Sequence, residues 1–251
     1  MQTKMDGATG AGARPRLPTW PLVAVMACGV GAGGAAARQS AGAGTPSETY
    51  QELVALFEDW RELERPPLLD GAPDYTAERM AQAHARLPGL LDRLHAIDRT
   101  GWSVGQQVDW HLVLAELNGF DFDCRVLRPW ARDPAFYQTV WTYQSDVPAH
   151  EGPTNHALLE LWTYTFPLRS SEEKRLTAEL AVIPPLLAQA RINLTGDARD
   201  LFVAGIETLR DQVESLEELA GRVEEDASEE LTAALASALQ ATREMVLWLE
   251  A

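Results

Sequence analysis

The chain has 251 residues, 46% of them hydrophobic and 23% charged, with a net charge of −16. Such an apolar share supplies a buried core and the charge content is ordinary, so wholesale disorder is excluded. A chain this acidic repels phosphate backbones and anionic lipids, which leaves nucleic-acid binding and direct membrane-surface binding without electrostatic support.

Residues 1–16 are polar and weakly basic, and residues 17–37 read LPTWPLVAVMACGVGAGGAAA. A basic start, an apolar run and small residues at the end predict a secretory signal peptide over residues 1–37. The most apolar part, Leu22 to Cys28, is short for a membrane span, and the residues after it are rich in Gly and Ala. Two processing routes fit. Cleavage after Ala35-Ala36-Ala37 would release a soluble chain, whereas Val25-Met26-Ala27-Cys28 has the form of a bacterial lipobox with Cys28 as the lipidated residue. Both imply export, to the periplasm, the cell envelope or the medium, with membrane contact only through a lipid on Cys28. Residues 38–46, RQSAGAGTP, read as a flexible tether. With Cys28 in the leader, Cys124 is the remaining cysteine, which excludes a disulfide framework and suits a small core residue.

Residues 47–251 read as helices separated by Pro and Gly, an all-α domain. Tyr50, Leu53, Val54, Phe57, Trp60 and Leu63 form a stripe at helical spacing, and Pro66-Pro67 ends it. A second helix is predicted from about Thr76 to Ile97, broken or kinked at Pro88. Ser103 and Gln106 form a capping box ahead of a third, whose apolar face continues through Val108, Leu112, Ala115 and Leu117. Asp133-Pro134 is a helix start, with Asp as N-cap. Pro153 predicts a helix through Leu158, Leu161, Trp162 and Tyr164. Ser170 and Glu173 predict a further capping box. From about Asp197 to Val223, Leu201, Ile206, Leu209, Val213, Leu216 and Leu219 recur at helical intervals. Ser228 opens a last helix to the end of the chain. Together these two predict a long antiparallel hairpin closing an irregular multi-helix bundle. The last helix is still apolar at Met245 to Leu249 with no C-cap glycine after it, which predicts further sequence downstream. No stretch shows sustained strand-type alternation.

Three constellations bear on chemistry. His150-Glu151-Gly152-Pro153-Thr154-Asn155-His156 approaches a zinc helix, which needs two His four positions apart. Thr154 stands at that place and Gly152-Pro153 opposes a helix, so the segment reads as a loop with Glu151 near a helix N-terminus. Glu116 to Asp123 gathers three carboxylates and an amide, followed by Arg125 and Arg128. It lacks the closing Glu of a calcium loop. Ion pairing among Asp121, Asp123 and the arginines is one reading, and a substrate-facing wall made of Asp121, Asp123, Arg125 and Arg128 is the other. The aromatics Trp130, Phe136, Tyr137, Trp141 and Tyr143 read as core, with a ligand groove as the alternative. His84, His95 and His111 are scattered. No nucleophile elbow, P-loop or dinucleotide fingerprint occurs.

Several short motifs occur in a telling order: Pro73-Asp74-Tyr75-Thr76, Asn118-Gly119-Phe120-Asp121-Phe122-Asp123, Arg128-Pro129-Trp130, Arg132-Asp133-Pro134, Gln144-Ser145-Asp146, Glu151-Gly152-Pro153 and Ala190 to Gly196. As a set they resemble the N-terminal half of the bacterial family called domain of unknown function 885, from about Ser47 onward. The resemblance implies a helical, exported protein. It implies a zinc-dependent, metallopeptidase-like hydrolase whose His-Glu metal motif lies in a C-terminal half that would be this chain's partner. A peptide would be the substrate, this chain alone would be inactive, and no metal ligand or cofactor is carried over to it. The alternative is a non-catalytic helical binding or scaffold protein of the cell envelope.

Overall fold

The computed structural model describes residues 48–144, 154–196, 198–223 and 227–251. The leader, the tether and Cys28 lie outside the described residues, as do His150 to Pro153. The described chain is predominantly α-helical, as the sequence predicts.

Three helices form the first layer: α1 (Glu48–Glu64), α2 (Ala77–Ala96) and α3 (Val104–Phe122). Their shared core holds Leu53, Leu56, Trp60 and Leu63 from α1, Leu87, Leu90 and Leu94 from α2, and Trp110, Val113 and Leu117 from α3. Each such side chain contributes roughly 1.5–3 kcal/mol on leaving water. Pro66 stops α1 as expected, but Leu56 takes the buried place and Phe57 stays partly exposed. α2 runs unbroken through Pro88. The missing N–H costs one bond, while buried Leu87, Leu90 and Leu94 hold both halves to the same core. Ser103 and Gln106 cap α3 reciprocally, as predicted.

The face of α3 differs from expectation at Val108, Leu112 and Ala115, while Leu117 is buried as expected. Trp110, Val113 and Leu117 point inward, whereas Leu112 is 59% exposed, Val108 49% and Val104 79%. Two apolar stripes run along this helix, and the one carrying the large Trp110 ring, whose indole N–H donates to the Leu94 carbonyl at 2.9 Å, faces the core.

A hairpin of β1 (Leu68–Leu69) and β2 (Ala72–Pro73) joins α1 to α2. Asp70 and Gly71 both have positive φ, 53° and 91°, which a two-residue hairpin turn requires. After α4 (Pro129–Arg132), Pro134–Tyr137 form a single 3-10 turn, with the Asp133 carboxylate accepting from the Ala135 N–H at 2.9 Å. The helix predicted from Pro153 through Tyr164 is replaced. Leu159–Glu160 pair in parallel with Val140–Trp141, as β4 and β3, and a short 3-10 turn follows at Leu161–Thr163. The competing interaction is specific: the Asn155 amide donates to the carbonyls of Phe136 and Gln138, at 2.8 and 2.7 Å, and holds the chain extended.

The second layer is α5 (Ser170–Ala181), α6 (Ile183–Asn193), α7 (Arg199–Arg222) and α8 (Glu229–Glu250). The cap of α5 falls one residue earlier than predicted: Glu172 accepts from the Arg169 N–H at 3.0 Å. The arginine side chain has no acceptor, so only the carboxylate half of a box is made. The antiparallel hairpin of α7 and α8 is present. Gln212 donates to Thr242 at 3.3 Å, and Arg210 reaches Glu250 at the far end. The buried stripe of α7 is Gly205, Leu209, Gln212, Leu216 and Leu219, while Leu201 is exposed. Tyr75, Met80, Trp130 and Tyr137 join the core of this second layer, and Phe120 packs against both cores.

Candidate functional site

α3 ends at a sequence conflict. Pro129 has no N–H to donate, and a residue before proline is driven from the α region. Arg128 adopts the left-handed conformation, φ 46° and ψ 56°, and donates its N–H back five residues to the Asp123 carbonyl at 2.7 Å. The result is a π-turn over Asp123–Leu127. One surplus residue in a turn re-aims side chains, which is why such turns recur at functional sites.

Here the surplus sends neighbouring residues to different recesses. Asp123 lines a recess of about 90 Å³ with Glu64, Tyr75, Arg79, Phe120 and His156. Cys124 and Arg128 line a wider groove of about 460 Å³ with Thr76, His84 and Asn193. Met80 and Trp130 line both.

The framework between them is a buried polar knot. Gln189 accepts from the Tyr75 N–H at 2.5 Å and donates to the Pro73 carbonyl at 3.3 Å. Asn193 donates to the Tyr75 carbonyl at 2.9 Å and to the Tyr137 hydroxyl at 3.0 Å. That hydroxyl in turn donates to the Trp130 carbonyl at 2.6 Å. The N–H of Gly196 donates to the Ala131 carbonyl at 3.0 Å. A buried network of this kind fixes geometry because each unmet member is costly.

In the smaller recess, burial alone pushes the Asp123 carboxyl up, with no donor or cation opposing it. Burial, helped by Arg61 and Arg65, pulls the His156 imidazole down. The His156 backbone N–H donates to the Tyr75 hydroxyl at 2.7 Å. Arg79 donates from Nη2 to the Leu63 carbonyl at 3.2 Å, and its buried Nε–H has no acceptor. On the groove side, burial and then Asp123 and Asp121 push the Cys124 thiol up to about 12, so it is a poor nucleophile at neutral pH.

The four residues predicted as a substrate wall separate. Asp121 accepts three bonds from Arg125, the shortest 2.5 Å, and meets His84 at 2.8 Å. Arg125 and then His84 hold its carboxyl well below the usual carboxylate range. Asp121 and Arg125 therefore form a surface ion pair at the edge, while Asp123 and Arg128 face cavities. Of the predicted aromatic core, Trp130, Phe136 and Tyr137 are buried and Tyr143 is exposed. Tyr75 stands inside the motif Pro73 to Thr76 without a role assigned from sequence, and Arg79 and Gln189 lie just outside the motifs Pro73 to Thr76 and Ala190 to Gly196. The described residues do not fit a zinc ion: His84 is taken by Asp121, and no three His, Cys, Asp or Glu side chains converge. No described helix is long and apolar enough to cross a membrane.

No family model matches the sequence, and no curated protein matches it. Among solved structures, the chain is similar to a candidate lipoprotein of unknown function from Shewanella oneidensis, with 15% identity and a TM-score of 0.55 over 82% of this chain. That likeness is one of fold, and the chain spans 37% of the length of that protein.

Proposed function

We propose that this chain is the helical, ligand-facing part of an exported bacterial envelope protein of the metallopeptidase-like hydrolase kind. Zinc and the hydrolytic groups belong to a C-terminal half of the same protein. The observation that carries this reading is the convergence of the family-like motifs. Tyr75, the Asp123–Trp130 segment and Asn193 stand far apart in sequence, yet they meet around one pair of recesses. The fold likeness to a candidate lipoprotein supports an envelope address, with Cys28 as the residue for a lipid.

The second reading is a non-catalytic helical binding or scaffold protein of the cell envelope. The exposed stripe Val104, Val108 and Leu112 favours it, because a large apolar row on one helix face suits a protein partner.

The test is to express the whole reading frame that contains this chain and assay peptide hydrolysis with and without zinc. The first reading expects zinc-dependent hydrolysis by the whole product and none by residues 48–251. A reading frame that stops after Ala251, with no hydrolysis, overturns the first reading in favour of the second.

A further inference from the structure

We infer that the recess lined by Arg79, Asp123 and His156 binds a small zwitterion, an ammonium and a carboxylate on one short skeleton, of the size of glycine or alanine. The inference rests on the proposed ligand-facing role of this cleft and is independent of hydrolysis.

The recess contains two unmet charges of opposite sign. Arg79 has used one Nη2 bond on the Leu63 carbonyl; its Nε–H has no acceptor among the described residues and is sealed from solvent, so a ligand can meet only the remaining Nη donors. A carboxylate is the ligand group that meets a guanidinium edge with two parallel bonds. Asp123 presents the reverse need. Asp123 lines the recess, its carboxylate is half-buried and no donor among the described residues engages it, and a buried carboxylate left without a partner is costly. A primary ammonium brings three donors and a full positive charge. Glu64, the other acid on the wall, is already met by Arg61 at 2.7 Å.

The remaining wall suits the same ligand. Phe120, Trp130 and Phe136 line the recess. Aromatic faces attract ammonium groups, more so where water is displaced. A simple carboxylic acid would leave Asp123 unmet, and a simple amine would leave Arg79 unmet. Only a molecule bearing both charges meets both. Size narrows the choice further. A cavity of roughly 150 Å³ takes benzene, with its six heavy atoms. At about 90 Å³ this recess takes a molecule no larger. The chain as a whole is strongly acidic, so attraction of a carboxylate here is local to Arg79 and not a property of the surface.

The experiment is a titration of the isotope-labelled chain with glycine, L-alanine, acetate, methylammonium and tetraalanine, following the Trp130 indole N–H by NMR. Saturable shifts with glycine or alanine are expected, and binding at least tenfold weaker for acetate and methylammonium. Asp123→Asn and Arg79→Gln should each weaken glycine binding at least tenfold, and either folded variant suffices for the comparison. Acetate binding as well as glycine, or glycine binding unchanged in a folded variant, overturns the inference. Saturation by tetraalanine without glycine overturns the ligand class and leaves the cleft reading standing. Saturation by neither overturns both.

Discussion

The side-chain amide of Asn193, on α6, donates to the backbone carbonyl of Tyr75 at 2.9 Å, across 118 positions of sequence. The same amide serves the Tyr137 hydroxyl. One side chain thereby ties the entry of α2 to the 3-10 turn that follows α4.

Asn193→Leu should therefore be costly. It keeps the branched outline of the side chain, adds some volume, and leaves the Tyr75 carbonyl buried without that donor. A loss of about 2–3 kcal/mol is expected, since an abandoned buried polar group costs its full desolvation. Urea unfolding should show a lower midpoint with an unchanged slope.

Two glycines should respond in opposite senses to alanine. A Cβ on Gly205 would lie 2.6 Å from the Pro134 Cβ and 2.9 Å from the Ala135 N. Gly205→Ala should lose about 1–3 kcal/mol through overpacking between α7 and the Pro134 turn. A Cβ on Gly89, in mid-α2, meets nothing within 4 Å. Gly89→Ala should gain about 0.5–1 kcal/mol from helix propensity. Thermal unfolding of the pair reads both signs.

The orientation of α3 is open to a direct check. Leu117→Ala should cost about 2–5 kcal/mol, as a fully buried leucine does. Leu112→Gln should fall within about 0.5 kcal/mol of the parent. Equal losses at the two positions would mean that the helix is rotated about its axis.

His156 should give stability a pH slope. Burial holds its folded pKa below the ordinary 6.5. The unfolded chain then binds the proton first as pH falls, so the contribution of neutral His156 is present above the ordinary value. It is lost as pH drops through that value toward the folded pKa. Unfolding free energies between about pH 8 and pH 5 should fall toward acid, and His156→Gln should flatten that slope. A slope unchanged by the substitution would place the titration elsewhere.

Periodicity and capping made most of the helices legible. α2, α3, α7 and α8 lie close to where Thr76, Ser103, Leu209 and Ser228 put them. Faces were less legible than lengths. α3 has two apolar stripes, and a local pattern cannot say which meets Trp60 and Leu87. The extended stretch at Leu159 escaped because its cause, the Asn155 amide bound to two carbonyls, is a tertiary contact. Asp70-Gly71, by contrast, is a local hairpin signal that a closer reading would have caught. Asp123 was legible as a cavity residue only as one of four. The π-turn that separates it from Asp121 arises from Pro129, six positions downstream, acting through Arg128.

The polar knot also sets an order of assembly. α1, α2 and α3 share a core of their own, α2 and α3 carry their own N-caps, and the three can close as soon as residue 122 has left the ribosome. The Tyr75 N–H and carbonyl, however, wait for Gln189 and Asn193, more than a hundred residues later. Closing so long a loop is slow, because its entropy is lost before its contacts form. The early-made helices must therefore carry the hairpin at 68–73 and the Tyr75 segment uncovered until α6 arrives, and a holding chaperone would find its binding segment there.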